Sequence, residues 1–267
     1  MSTHWVPVRT DDGSWTLLAS ALAETCHSRA GAWQQACLRY ADGCRLRARA
    51  SEPGRSVLRL LDVGTGLGLN LAAALEATHA SGVALEVLTL EQDPDVIREG
   101  CRVYEACERE DGPGPWEPWH RAIRTALVAA LAAPGAAVPL GAHGRLELAL
   151  GDARVELERA AARDFDAVFL DPFSPRRAPE LWQEPFLGNV AERMARGAWL
   201  ATYSASFSVR LALARVGLHV GQGPRVGSKA EGTLAARDVA PPPLPERVTR
   251  RLTRALAGSR EGRGSPF

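Results

Sequence analysis

The stretch that most restricts what this chain can fold into lies between residues 57 and 91. Val57-Leu-Arg-Leu-Leu-Asp-Val63 is a short apolar run that stops at Gly64, the pattern of a strand buried on both faces of a parallel sheet. Residues 69–78 have the alanine and leucine density of a helix, and Ala84-Leu-Glu-Val-Leu-Thr-Leu-Glu91 is a second strand closed by a carboxylate. Strand, glycine turn, helix, strand is the βαβ unit, whose crossover sets its two strands parallel in one sheet. An α/β fold with a Rossmann-like, doubly wound, mostly parallel sheet is the expectation.

The alternation continues downstream. Residues 95–108 read as a helix, 146–150 as a strand ending at Gly151-Asp152, and 155–162 as a helix. Phe165-Asp-Ala-Val-Phe-Leu-Asp171 is a strand that again ends in a carboxylate; residues 198–203 form a further strand and 209–216 a helix. Between them, Asp111-Gly-Pro-Gly-Pro-Trp-Glu-Pro-Trp119 cannot be helical, because its three prolines and two glycines remove donors and rigidity; it reads as a surface insertion. Residues 1–50 read as an N-terminal cap with one amphipathic helix near residues 31–40, where Ala32, Trp33, Ala36, Cys37 and Tyr40 share a face. Residues 51–238 form the main domain, and residues 239–267 a proline-rich linker and a basic tail with a helical stretch at 247–257.

Composition narrows the class. The chain has 267 residues, 46% of them hydrophobic, yet no apolar run nears the roughly 20 residues of a membrane span. Met1-Ser-Thr-His-Trp-Val-Pro7 carries no basic region followed by an apolar core, so a cytoplasmic address is expected. Five cysteines, odd in number and without C-x-x-C spacing, read as reduced thiols and not as a disulfide framework or a metal site. The net charge of +1 hides an asymmetry: residues 1–171 hold 17 basic and 24 acidic side chains, residues 172–267 hold 15 and 7. The C-terminal third is therefore the side that would face an anion.

In Asp62-Val-Gly64-Thr65-Gly66-Leu-Gly68-Leu-Asn70 the missing side chains let the backbone turn sharply and approach a ligand. A dinucleotide fingerprint would need a glycine at position 69, where Leu69 stands. The spacing here is G-x-G-x-G, with Asp62 two residues ahead. An acid there suits a ligand with a cationic amino group and no pyrophosphate, and S-adenosyl-L-methionine meets that demand. The pattern resembles the first motif of the class I methyltransferases. The resemblance implies that the loop wraps the cofactor's amino-acid part, that Glu91 holds the ribose hydroxyls, and that Asp152 lies beside the adenine.

Asp171, at the end of the fourth parallel strand, lies where an open α/β sheet binds its ligands. Pro172 keeps it out of helical geometry. A carboxylate there can orient an acceptor amine through an N–H bond and take up the proton that leaves during in-line methyl transfer. At this point the chain resembles a known family, the methyltransferase part of MnmC-type enzymes of tRNA wobble-uridine modification. The likeness covers roughly residues 24–236. Gly64-Thr-Gly66-Leu-Gly68-Leu-Asn70 resembles the family's G-T-G-L-N-type loop. Phe169-Leu-Asp171-Pro-Phe-Ser-Pro175 with Ala178-Pro-Glu-Leu-Trp182 resembles its F-L-D-G-F-A-P and N-P-x-x-W, and Gly197-Ala-Trp-Leu-Ala-Thr-Tyr-Ser204 its G-x-x-x-A-T-F-T-S strand. The resemblance implies N-methylation of 5-aminomethyl(-2-thio)uridine at the tRNA wobble position, with Asp171 at the amine and a separate flavin-dependent oxidase acting upstream.

Two departures stand out: Pro172 replaces a glycine of the family, and its basic G-R-K-R-E-M-L run appears as Gly227-Ser228-Lys229-Ala230-Glu-Gly-Thr233. Pro172, Phe173, Arg176 and Trp182 are the candidate substrate contacts. Aromatic faces such as Trp182, Phe173, Tyr203 and Phe207 can stack on an unstacked base, and Arg176 and Arg177 can meet phosphate. Core packing for Trp182 and a solvated turn for the arginines fit the same residues. His27 could close over the cofactor, and Arg247, Arg250, Arg251 and Arg254 could follow an RNA backbone. Alternatives to the wobble-uridine reading are methylation of another amine on a nucleobase, protein or small molecule, and a non-catalytic cofactor- or RNA-binding relative. A nicotinamide dehydrogenase is a further one.

Overall fold

The computed structural model describes residues 4–141, 144–227 and 231–261. A small antiparallel sheet comes first: β1 (Trp5–Arg9), β2 (Trp15–Ala19) and β3 (Glu24–Thr25), with β2 in the middle. A short helix α1 (Ala32–Gln35) runs into a π-helical turn over Ala36–Ala41, and α2 (Leu46–Ala50) leads to the main sheet. There follow β4 (Val57–Val63), α3 (Leu69–Thr78), β5 (Ala84–Glu91), α4 (Pro94–Glu110), α5 (Trp119–Ala132), β6 (Ala137–Leu140) and β7 (Gly144–Leu150). The second half holds α6 (Ala153–Arg159), β8 (Phe165–Leu170), α7 (Glu184–Glu192), β9 (Met194–Thr202), α8 (Phe207–Arg215), β10 (His219–Gln222), β11 (Thr233–Ala236) and α9 (Glu246–Glu261).

The eight main strands lie in the order β10-β11-β9-β8-β4-β5-β7-β6. The five from β9 to β7 are mutually parallel, whereas β6, β11 and β10 pair antiparallel at the two edges. The α/β expectation therefore holds, and the antiparallel edges are additions that the sequence reading did not contain. From β4 the chain builds outward through β5 and β7, then crosses back to β8 on the other flank. That reversal beside β4 is the topological switch point, where the strand ends splay and leave a crevice. Leu60 pairs with Ala167 and Val63 with Leu170, so β4 and β8 end level, and the glycine loop and Asp171 emerge side by side.

β8 is buried at every one of its positions, which is why its sequence is a continuous apolar run interrupted only by Asp166. Asp166 accepts from Arg49 Nη2 at 3.0 Å, Arg55 Nη1 at 2.8 Å and the Arg59 backbone at 2.9 Å, tying α2 to the N-terminal end of the sheet. α4 starts where Pro94 occupies its first turn and the Asp93 carboxylate accepts from Asp95 N at 2.9 Å.

Residues 4–50 differ from the expected simple cap in carrying three strands. Pro7, which cannot donate to a ladder, is accommodated because β1 is an edge strand. Tyr40, Ala41, Cys44 and Leu46 share one core with Leu58, Leu60 and Phe169, and the Tyr40 and Phe169 rings lie 5.4 Å apart. The insertion read as non-helical over 111–119 is so through Pro118, but Trp119 opens α5, and it is not wholly at the surface: Trp116 is buried edge-on against Tyr104 at 5.6 Å. The amphipathic α5 after it packs on α3, so tightly that a Cβ on Gly68 would meet Ile123 and Leu127 at 2.9 Å. α6 begins at Ala153, two residues before the expected start, because Asp152 caps it through Arg154 N at 3.0 Å. In the tail, α9 lays Arg251 over the Phe207 ring at 3.9 Å. Among the described residues no helix is long and apolar enough to cross a membrane, and the five cysteines are free thiols. Ser228, Lys229 and Ala230 lie outside the described residues.

Candidate active site

A cavity of about 460 Å³ opens at the switch point, within the size range of small-molecule sites. Gly64, Gly66, Glu91, Gly151 and Asp152 border one side, Asp171, Pro172 and Phe173 another, and Trp5, Cys26 and His27 of the N-terminal segment close over it. The glycines have separate reasons. Gly64 has φ 92°, and a Cβ there would stand 2.7 Å from the Asp171 carbonyl. Gly66, at φ 52°, donates its N–H to Glu91 Oε2 at 3.0 Å. The other Glu91 oxygen accepts from Gln92 N at 2.8 Å and Asp93 N at 3.0 Å, so the carboxylate joins the glycine loop to the turn after β5. Burial pushes the Glu91 carboxyl upward against these backbone bonds. Asp152 is held below the usual carboxylate range by its hydrogen bonds from Arg154.

The remaining sequence-predicted cofactor residues form a floor and do not border the cavity. Asp62, fully buried, sits opposite Thr89 in the β4–β5 register and accepts from its hydroxyl at 2.7 Å. Thr89 in turn lies 2.6 Å from the Thr65 hydroxyl, and the second Asp62 oxygen has no partner among the described residues. Desolvation pushes the Asp62 carboxyl well above its ordinary range. Gly68 meets α5. Asn70, 2% exposed, donates from Nδ2 to Asp171 Oδ2 at 2.8 Å, so it holds the Asp171 carboxylate and is not a wall of this cavity.

Asp171 borders the first cavity, and a second of about 390 Å³, bordered by Glu24, Gln35, Arg39, Ser174 and Tyr203, adjoins it. Cys26, His27, Pro172 and Phe173 border both. Burial pushes the Asp171 carboxyl up to about 7, while the Tyr40 hydroxyl, the Asn70 amide and the Arg39 charge pull the other way. The Tyr40 hydroxyl is fully buried beside this carboxyl and has no hydrogen-bond partner among the described residues. His27 is driven down to about 4 by burial, so it faces both cavities as a neutral ring at physiological pH.

The loop after Asp171 is pinned from several sides. Tyr203 Oη donates to the Pro172 carbonyl at 3.0 Å and Trp182 Nε1 to the Phe173 carbonyl at 2.8 Å. Glu24 accepts from the Ser174 backbone at 3.1 Å and from its hydroxyl at 2.5 Å. Trp182 is thus a buried clamp, 4% exposed and edge-on to Tyr203 at 5.7 Å, and its ring borders neither cavity. Of the two arginines that follow, Arg176 borders neither cavity, while Arg177 borders the first. Phe173 faces both and stacks on Trp5, with ring centroids 6.2 Å apart and planes 18° apart. The Trp5 indole also donates to Asp93 Oδ2 at 3.0 Å, which fastens β1 across the mouth. Trp5, Glu24, Arg39 and Tyr40 are the site residues that sequence reading did not assign. Their only local signal was Tyr40 on the apolar stripe, which points to the core and not to a site.

Comparison with known proteins agrees with this geometry. Residues 119–238 match a family model described as S-adenosyl-L-methionine-dependent methyltransferase. The crystal structure of MNMC2 from Aquifex aeolicus superposes with a TM-score of 0.76 at 32% identity, over 94% of this chain and 76% of that one. The tRNA 5-methylaminomethyl-2-thiouridine biosynthesis bifunctional proteins MnmC of Aromatoleum aromaticum and Methylibium petroleiphilum are 34% and 33% identical over 94% and 85% of this chain. The chain spans 39% and 34% of the length of those two relatives. With about a third of its residues in common with these proteins, and the fold of the Aquifex structure over 94% of its length, this chain belongs to the MnmC-type family of S-adenosyl-L-methionine-dependent methyltransferases.

Proposed function

We propose that the chain transfers a methyl group from S-adenosyl-L-methionine to the aminomethyl nitrogen of 5-aminomethyl(-2-thio)uridine at the wobble position of tRNA, giving the 5-methylaminomethyl form. The observation that carries the reading is the place of Asp171: a carboxyl with raised proton affinity on the wall of the first cavity, directly before Pro172 and Phe173, which border both cavities. The relatives named for 5-methylaminomethyl-2-thiouridine biosynthesis supply the substrate class.

The first cavity suits the cofactor in its chemistry. Glu91 and Asp152 offer carboxylates to hydroxyl and amino groups, and Asp62, buried beneath the loop, has an oxygen without a partner among the described residues. When bound, S-adenosyl-L-methionine supplies a methyl group on a cationic sulfur. An alkylamine is mostly protonated in water, and only its neutral form has a lone pair to offer. Asp171 accepts an N–H bond from the amine, aligns it and takes up the proton; a carboxyl near pH 7 is matched to that work. Asn70 holds the carboxyl and the buried Tyr40 hydroxyl lies beside it, while Tyr203, Trp182 and Glu24 fix the loop that carries it. Trp5, Cys26 and His27 keep water from the site. The free amine must come from another activity, and we assign that step to a separate flavin-dependent oxidase upstream.

The test is transfer of labelled methyl to tRNA from cells lacking the wobble methyltransferase, followed by nucleoside mass spectrometry. A 5-methylaminomethyluridine signal that disappears with Asp171→Asn is expected. Protein that binds the cofactor yet leaves this tRNA unlabelled would refute the substrate and direct attention to other amines.

A further inference from the structure

Arg39 is the one charged side chain bordering the second cavity that the reaction as described leaves almost unused. It is only 4% exposed, its Nη1 reaches the Tyr203 carbonyl at a long 3.5 Å, and its Nε has no partner among the described residues. Enclosing a guanidinium that makes no ion pair among the described residues, with Asp171 acting on it only through space, is costly, so the site suits a ligand that accepts from it. The surroundings are shaped around it. A Cβ on Gly232 would stand 2.3 Å from Arg39 Nη1, and one on Gly43 would stand 2.1 Å from the Arg39 carbonyl. The π-helical turn over Ala36–Ala41, a form that recurs at functional sites, sets Arg39 toward the cavity and its neighbour Tyr40 toward the Asp171 carboxyl.

We propose that Arg39 is the specificity-determining residue of the acceptor cavity, donating to a carbonyl oxygen next to the reacting aminomethyl group: the C4 oxygen of a uracil ring. The inference rests on the wobble-uridine reading and names the group that reads the base. A neutral oxygen fits better than a phosphate, because Glu24 borders this cavity and Asp171 the adjoining one, and both would oppose a full anion. The guanidinium also disfavours an alkylammonium beside it, so the amine enters in its neutral, reactive form. Cytosine carries an amino group where uracil carries that oxygen, and a donor would then face a donor.

The experiment compares anticodon stem-loop RNAs bearing 5-aminomethyluridine or 5-aminomethylcytidine, in methyl transfer and in binding to protein loaded with S-adenosylhomocysteine. Wild-type protein should prefer the uridine RNA by about 10- to 100-fold, the worth of one charge-assisted hydrogen bond. Arg39→Met should bring the two RNAs to near parity with cofactor affinity intact, and Arg39→Lys should restore part of the preference. An undiminished preference in Arg39→Met overturns the assignment. So does an equal loss of cofactor binding in both variants, which marks Arg39 as part of the framework. If wild-type protein methylates neither RNA, the wobble-uridine reading fails, and the two binding affinities still decide the role of Arg39: equal values overturn it.

Discussion

Replacing Asp171 with asparagine separates the chemistry of the site from its cost to the fold. Burial raises the Asp171 carboxyl from an ordinary 3.8 to about 7. In the window between those values the folded protein keeps a proton that the unfolded chain has released, so stability falls as pH rises through it. Three units at 1.36 kcal/mol each set a ceiling of about 4 kcal/mol; Asp171 borders a water-accessible cavity, and about 2 kcal/mol is the expected size. Asparagine keeps the shape and an acceptor oxygen for the Asn70 amide, and it cannot ionise. The variant should therefore gain stability relative to wild type as pH goes from 4.5 to 8, by about 2 kcal/mol. Urea unfolding read by the fluorescence of the seven tryptophans measures it. In the same preparation methyl transfer should fall by at least about 100-fold, with affinity for S-adenosylhomocysteine within about threefold of wild type. A stability difference that is flat with pH refutes the burial argument. Turnover that persists in the variant refutes the acid–base role.

Other substitutions follow the same reasoning. Glu91→Ala removes the carboxylate that borders the first cavity and bonds Gly66 N, and should weaken cofactor binding by about 10- to 100-fold with turnover at saturation largely kept; calorimetry with S-adenosylhomocysteine is the check, and unchanged affinity contradicts it. Tyr40→Phe deletes a group that favours the ionised form of Asp171, so the acid limb of the kcat/KM profile should move above about 7 by roughly one unit. An unmoved limb would show that the hydroxyl does not bear on this carboxyl. Gly64→Ala must hold φ 92° and push against the Asp171 carbonyl, and should destabilise by at least about 2 kcal/mol; thermal unfolding reads this, and an unaltered midpoint would mean that the strand ends can part.

Much of the framework is local information, and the residues state it openly. An apolar run ending in Gly64, a helix-forming stretch, a second run ending in Glu91 and a third ending in Asp171 specify parallel strands, and parallel strands place their C-terminal ends on one edge. The glycine spacing separated a methyl donor from a dinucleotide, and the motifs around Asp171 and Trp182 carried the family. What periodicity does not contain is which end-of-strand acid meets a ligand. Asp62 and Asp171 look alike in the sequence; pairing opposite Thr89 buries one beneath the loop, and the level ends of β4 and β8 set the other on the wall of the first cavity. Trp182 had the composition of a base platform, and packing against Tyr203 made it a clamp for the Phe173 carbonyl. The segment read as a cap supplies Trp5, Glu24, Arg39 and Tyr40, because a short edge strand with a proline and a single π-helical turn have no sequence period by which to be recognised. The proton affinity of Asp171 belongs to the tertiary structure alone: it arises from the exclusion of water by residues far apart in the chain, and no local pattern encodes that distance.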